Sequence, residues 1–225
     1  MRMKTGTARR AWLRRLAAAG LVPLLTPLLL AMSRLPAGRT IYRLQGTVRV
    51  NGRPVDETTL ITLGDVVETG ADGMVIFAVG SDVFMVKANS RYEVQGSNGV
   101  VQLCRLVTGA VLQVFGQGAR RLESGDAVIG VRGTAVYMEA RRDESYVCTC
   151  YGEAELSSRS DPQLRETVRT THHETPRWFR RGSDGRPRIE PAPVINHTDD
   201  ELILLESLVN RTPPFLLLDL GGSRY

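Results

Sequence analysis

The chain has 225 residues and is 42% apolar, enough for one domain with a real core plus appendages. Its formal charge of +5 misleads about partners, because seven of the 29 Lys and Arg residues precede Leu35 and the first acidic residue is Asp56. Residues 35–225 hold 22 basic against 24 acidic side chains, a net −2, which excludes the electrostatic footprint of a nucleic-acid-binding protein.

The first element is a targeting segment. Arg2, Lys4, Arg9, Arg10, Arg14 and Arg15 precede an apolar run from Leu16 to Met32, the order a bacterial export signal requires. Within it, Arg9-Arg10-Ala11-Trp12-Leu13-Arg14 resembles a twin-arginine export motif. Residues 1–37 are therefore expected to be a signal peptide or membrane anchor. The apolar run is short for a spanning helix and carries Pro23 and Pro27, so cleavage or a loose tether through residues 16–32 is expected. The predicted location is the periplasm, free or held at the inner membrane.

From Ile41 onward the pattern is β. Ile41–Val50 alternates up to the Asn51-Gly52 turn. Short strands are predicted at Thr58–Leu63, Asp65–Glu68, Met74–Val79, Val83–Lys87, Tyr92–Gln95, Val100–Val107, Ala110–Phe115, Arg121–Glu123, Ala135–Ala140 and Ser145–Tyr151. Turn signals recur every 8–12 residues without a 3.6-residue apolar stripe, the pattern of an all-β sandwich, barrel or short solenoid of antiparallel strands. Gly64-Asp65-Val66-Val67 is echoed by Gly125-Asp126-Ala127-Val128, which suggests two stacked β-subdomains. The aspartates are expected to accept backbone N–H bonds in their turns.

The β-domain is predicted over 41–173, its last hairpin formed by Glu153–Ser157 and Glu166–His173 around Asp161-Pro162. Residues 174–225 are read as an extended Pro-, Gly- and Arg-rich segment followed by one helix, about 199–210. Thr198-Asp199-Asp200-Glu201 is a capping box ahead of Leu202, Leu205 and Leu208, and Pro213-Pro214 stop the helix.

Residues 44–156 resemble the FecR-type periplasmic domain. The likeness is carried by Gly46-Thr47-Val48, Leu63-Gly64-Asp65, Glu68-Thr69-Gly70, Asp72-Gly73, Val107-Thr108-Gly109-Ala110-Val111, Ile129-Gly130-Val131-Arg132-Gly133-Thr134 and Tyr151-Gly152-Glu153. The resemblance implies a β-solenoid or β-sandwich and a non-enzymatic binding or signalling role, with an envelope protein or a small ligand as partner. Well-known members are anti-sigma regulators with a cytoplasmic helical domain. The 15 residues ahead of the apolar run are too few for one, so direct anti-sigma activity is not expected.

The residues with most chemical potential are Cys148 and Cys150, which share one face of a strand, and His172-His173-Glu174 downstream. With Ser158 opposite Leu164, Glu155 falls opposite Thr167, Cys150 opposite His172 and Cys148 opposite Glu174. A slip of one residue brings His173 round instead. Cys148, Cys150, His172 and His173 thus form a candidate site for Zn, Cu or Fe. The alternatives are a disulfide from Cys104 to Cys148 or Cys150 in an oxidising compartment, or inert buried thiols. A bond within Cys-x-Cys is disfavoured, because the Cα atoms lie about 7 Å apart. Arg132-Gly133-Thr134 reads as a turn, and Trp178 and Phe179 as anchors between solvated arginines. No Ser/His/Asp order or glycine-rich phosphate loop points to an enzyme.

Overall fold

The computed structural model describes residues 38–221, with side chains to residue 217. The predicted targeting segment and its paired arginines lie outside the described residues. Among the described residues no helix is long and apolar enough to cross a membrane.

The fold is all-β. One sheet, sheet A, has the spatial order β1 (Ile41–Gln45), β5 (Met74–Val79), β6 (Asp82–Val86), β8 (Val100–Val114), β11 (Ala135–Ala140), β12 (Ser145–Ser158), β14 (Arg177–Arg181) and β15 (Pro187–Pro191). Sheet B runs β3 (Arg53–Pro54), β2 (Val48–Val50), β4 (Val66–Thr69), β7 (Arg91–Ser97), β8, β9 (Ala119–Ser124), β10 (Ala127–Arg132), β12 and β13 (Arg165–Thr170). Pairing is antiparallel except between β8 and β9.

Two long strands belong to both sheets. Residues 100–108 of β8 pair in sheet B and residues 109–114 in sheet A. In β12 the change comes between Tyr151 and Gly152. Each crossing sits at a glycine with positive φ: +82° at Gly109 and +93° at Gly152. A Cβ there would stand 2.1 Å from Ser90 Oγ or 2.6 Å from Thr134 Cγ2. Glycine lets the strand bend through the corner where two packed sheets meet. Expected at strand ends, these glycines are corners inside strands. Thr58–Leu63 is not a strand but a turn, held by Asp56 Oδ1 accepting from the N–H groups of Thr58 and Thr59. The echoed Gly-Asp turns each open a sheet-B strand, β4 and β10, followed by a sheet-A strand, β5 and β11. Both copies therefore build the same two sheets rather than two stacked subdomains.

The main core lies between the sheets. Phe77, Tyr92 and Phe115 each contact the ring of Phe84, with centroids 5.0–6.0 Å apart. A second core lies on the other face of sheet A. There Ile76, Met85, Leu112, Val114, Tyr137, Tyr146, Cys148 and Cys150 are covered by helix α1 (Asp199–Ser207). Sheet A is thus buried on both faces, which is why β5 and residues 83–86 of β6 read as unbroken apolar runs. Leu202 and Leu205 of α1 and its C-cap Leu208 are buried, each stabilising the cover by about 1.5–3 kcal/mol. Thr198 caps α1 with the predicted reciprocal bonds to Glu201. Helix α2 (Pro214–Gly221) follows, with Phe215 packed near Tyr151.

The segment 174–196 is more ordered than expected. Its β14–β15 hairpin extends sheet A through pairing with Ser145–Val147. Trp178 faces the outer core between the guanidinium groups of Arg141 and Arg180, 4.7 and 4.4 Å from its ring, while Phe179 enters the core between the sheets. Period-2 alternation explains this division of adjacent aromatics.

A candidate metal centre under the C-terminal helix

Cys148 and Cys150 occupy alternate positions of β12, so both thiols leave the outer face of sheet A. Both are fully buried. Cys104 points into the other core, between the sheets. The layer of sheet A therefore separates Cys104 from the other two cysteines, and the expected Cys104 disulfide has no path. All three carry free thiols.

The hairpin register matches the sequence reading along its length, with Glu155 opposite Thr167 and Ser158 N–H bonded to Leu164 O. It departs at the end. The ladder stops at Thr170, and the chain bends through Thr171 and His172 to His173, whose φ is +57°. His173 N–H then bonds Cys150 O at 2.9 Å. His173, not His172, joins the cysteines. Glu174 turns back to accept from Thr171 N–H at 2.7 Å and does not reach Cys148.

The fourth member, His197, comes from a segment far from the hairpin in the chain. His197 immediately precedes the N-cap of α1 and is brought over β12 when that helix docks. Lys87 Nζ fixes the approach, donating to Asn196 O at 2.8 Å and to Glu201 Oε1 at 2.7 Å. The His197 ring stacks on Tyr137 at 4.5 Å. One ligand atom from each of Cys148, Cys150, His173 and His197 lies within 4.8 Å of the others. The sequence signal for His197 was its place beside a capping box; nothing local shows where that helix lands.

Both imidazoles have their outer nitrogens committed. His197 Nδ1 lies 2.7 Å from Ile195 O, a carbonyl that can only accept, so Nδ1 carries the proton. His173 Nε2 lies 3.1 Å from the Asp199 carboxylate and donates to it. The inner nitrogens, His173 Nδ1 and His197 Nε2, are then both lone-pair acceptors, yet they face each other at 3.0 Å. Cys148 Sγ is 3.5 Å from His173 Nδ1. Three electron-pair donors converging in this way need an electrophile among them, a proton or a metal cation.

The electrostatics agree. Cys148 is lowered to about 4, first by the Cys150 thiol, with burial opposing and both histidines assisting. Burial pushes the Cys150 thiol well up. His173 is raised; burial opposes its charge, but Cys148 and Asp199 outweigh it. The cluster favours thiolate beside positive charge. A tetrahedral ion with Zn–S about 2.3 Å and Zn–N about 2.0–2.1 Å has ligand–ligand edges of about 3.3–3.8 Å. The 3.0 and 3.5 Å separations are close to that, and the Asp199–His173 bond is the carboxylate–histidine arrangement that orients a metal ligand.

His172 lies beside this cluster. Its Nε2 is 2.8 Å from Asp199 Oδ1, the oxygen that His173 Nε2 also contacts. Its ring stacks on Phe215 at 4.5 Å. The structure therefore brings three of the four predicted ligands together: Cys148, Cys150 and His173 share the buried cluster, and His172 stands outside it with Asp199.

No protein-family model matches the chain. No curated protein matches it. Two crystal structures of a candidate anti-sigma factor from Parabacteroides distasonis, at 1.65 and 2.50 Å resolution, are similar in backbone. Each is 9% identical, with a TM-score of 0.46 over 56% of this chain and 59% of that one. The chain thus spans 59% of the length of the solved chains it resembles, and its chemistry is argued from its own residues.

Proposed function

We propose that this chain is an exported, metal-binding β-module of the cell envelope, with Cys148, Cys150, His173 and His197 as the ligands of one zinc ion. The observation that carries the reading is the 3.0 Å approach of His173 Nδ1 to His197 Nε2 beside Cys148 Sγ, with both outer ring nitrogens already bonded. A two-sulfur, two-nitrogen tetrahedral set suits Zn²⁺, with Cu or Fe as softer or redox-active competitors. Four protein donors complete a tetrahedral ion and leave no open position for substrate, which supports a structural or sensing role and not catalysis. The ion would join β12 to the segment leading into α1.

Export is supported by the basic and apolar order of residues 1–32, and the FecR-type resemblance over 44–156 supports a signalling role toward an envelope partner. The test is purification of the exported form without oxygen, with metal counted by mass spectrometry. One Zn per chain, lost in both Cys148→Ser and His197→Ala, is the expected result. A folded protein with no stoichiometric metal and two oxidised cysteines would overturn it.

A further inference from the structure

Next to the buried ligands lies a second set of donors that the four-coordinate centre does not use. His172 Nε2 and His173 Nε2 stand 2.8 and 3.1 Å from the same Asp199 oxygen. The two rings are 4.8 Å apart, centre to centre. Solvent reaches this set in a graded way: the side chains of His172 and Asp199 are 43% and 45% exposed, and that of His173 is 10% exposed. Cys148 and Cys150 beyond it are fully buried. His173 therefore presents one nitrogen to the exposed pair and the other to the thiols.

We propose that His172 and Asp199 form a rim site that captures a divalent cation from solvent and delivers it, past the His173 side chain, to the buried centre. The inference rests on the metal-centre reading and adds its loading route. The buried donors cannot meet a hydrated ion directly, because the sheet, α1 and the His173 ring enclose them. At the rim, one imidazole and one carboxylate can replace two waters of a borderline cation once the proton held between His172 Nε2 and Asp199 Oδ1 is released to solvent. The imidazole donor selects Zn²⁺, Co²⁺ or Cu²⁺ over Mg²⁺ and Ca²⁺, which prefer all-oxygen sites. Transfer inward is downhill, since the buried set adds two sulfurs for which a borderline cation has higher affinity. Phe215 holds the His172 ring at 22° to its own plane, which keeps the rim nitrogen in place before metal arrives.

The experiment mixes metal-free full-length chain with Co²⁺ in a stopped-flow instrument and follows thiolate-to-cobalt absorption, which reports arrival at the cysteines. Two variants are compared with wild type: His172→Ala, and His172→Phe, which keeps a ring against Phe215 but removes the donor. Both should load about tenfold more slowly and reach the same final absorption, the size of effect expected when a local capture site is lost. Loading at the wild-type rate in both variants would overturn the rim site. So would loss of the final absorption with the rate, because His172 would then be a ligand or support of the centre itself. Absence of thiolate–cobalt absorption in the wild type would instead overturn the buried centre, a failure distinct from the other two.

Discussion

His173 Nδ1 and His197 Nε2 face each other at 3.0 Å, although 24 residues and a complete β-hairpin separate them in the chain. Neither ring is free to turn away, because Asp199 holds one and Ile195 O the other. The pair is a joint between the sheet and the segment that carries α1, and what occupies it governs how firmly that joint is made.

Removing metal should loosen the protein. A ligand that binds only the folded chain stabilises it by about 2.7 kcal/mol at a hundred times its dissociation constant. Wild-type Tm should therefore fall when a strong chelator is added to zinc-loaded protein. His197→Ala should have the lower Tm from the start and show no response to chelator. Differential scanning calorimetry with and without chelator checks both.

Asp199 should act as a positioning residue. Asp199→Asn removes the carboxylate that accepts from His173 Nε2, and zinc affinity should fall about 10–100-fold. Helical circular dichroism should hardly change, because the cap is Thr198. Asp199→Glu should recover part of the affinity. A competition titration against a chromophoric chelator separates this from a structural defect, which would lower all signals together and not respond to the Glu replacement.

Cys104 should be irrelevant to the centre. It lies in the core between the sheets, where burial pushes its thiol up to about 12. Cys104→Ala should keep full zinc content. In wild type, three thiols should titrate after chelation and unfolding without reductant. A count of one would mean that a disulfide had formed.

Docking of α1 should depend on its leucines. Leu205 is fully buried against the outer face of sheet A, and Leu205→Ala should cost about 2–5 kcal/mol. Thr198→Ala should cost about 0.5–2 kcal/mol by removing the cap. Urea denaturation of the metal-free chain reads both as a lower midpoint.

Acid should weaken the fold through Glu123. Burial alone would raise this carboxyl, but Arg121, Arg159 and Arg105 around it lower it to about 2. A depressed carboxylate contributes stability that is complete above its unfolded value near 4.5 and is lost as pH falls toward 2. The arginines are 40–56% exposed, so solvent screening reduces the contribution to about 1–2 kcal/mol. Glu123→Gln should be less stable than wild type at pH 7 by that amount. The difference should vanish near pH 2 in denaturant titrations.

Much of the fold was written locally. Met74–Val79 and Ala135–Ala140 are strands at their predicted residues, and Thr198 and Glu201 cap α1 as the sequence says, because strand alternation and capping are short-range chemistry. Gly109 and Gly152 misled for the opposite reason: a left-handed glycine looks the same at the end of a strand and at a corner within one. The site was half legible. Cys148 and Cys150 share a face by the period of a strand, and the hairpin register carried His173 to within one residue of its place.

The sequence alone determined strands such as Met74–Val79 and Ala135–Ala140, which end of the chain caps as a helix, and that two thiols point the same way. These follow from interactions that span a few residues. Only the tertiary structure decided that Cys104 lies across a sheet from the other cysteines, that His172 stays at the rim, and that His197 completes the cluster. Those outcomes depend on which face of sheet A receives α1. That choice is made by burial of Leu202, Leu205 and Leu208 against residues 50 to 130 positions away, and non-directional apolar burial leaves no mark in the sequence around a histidine.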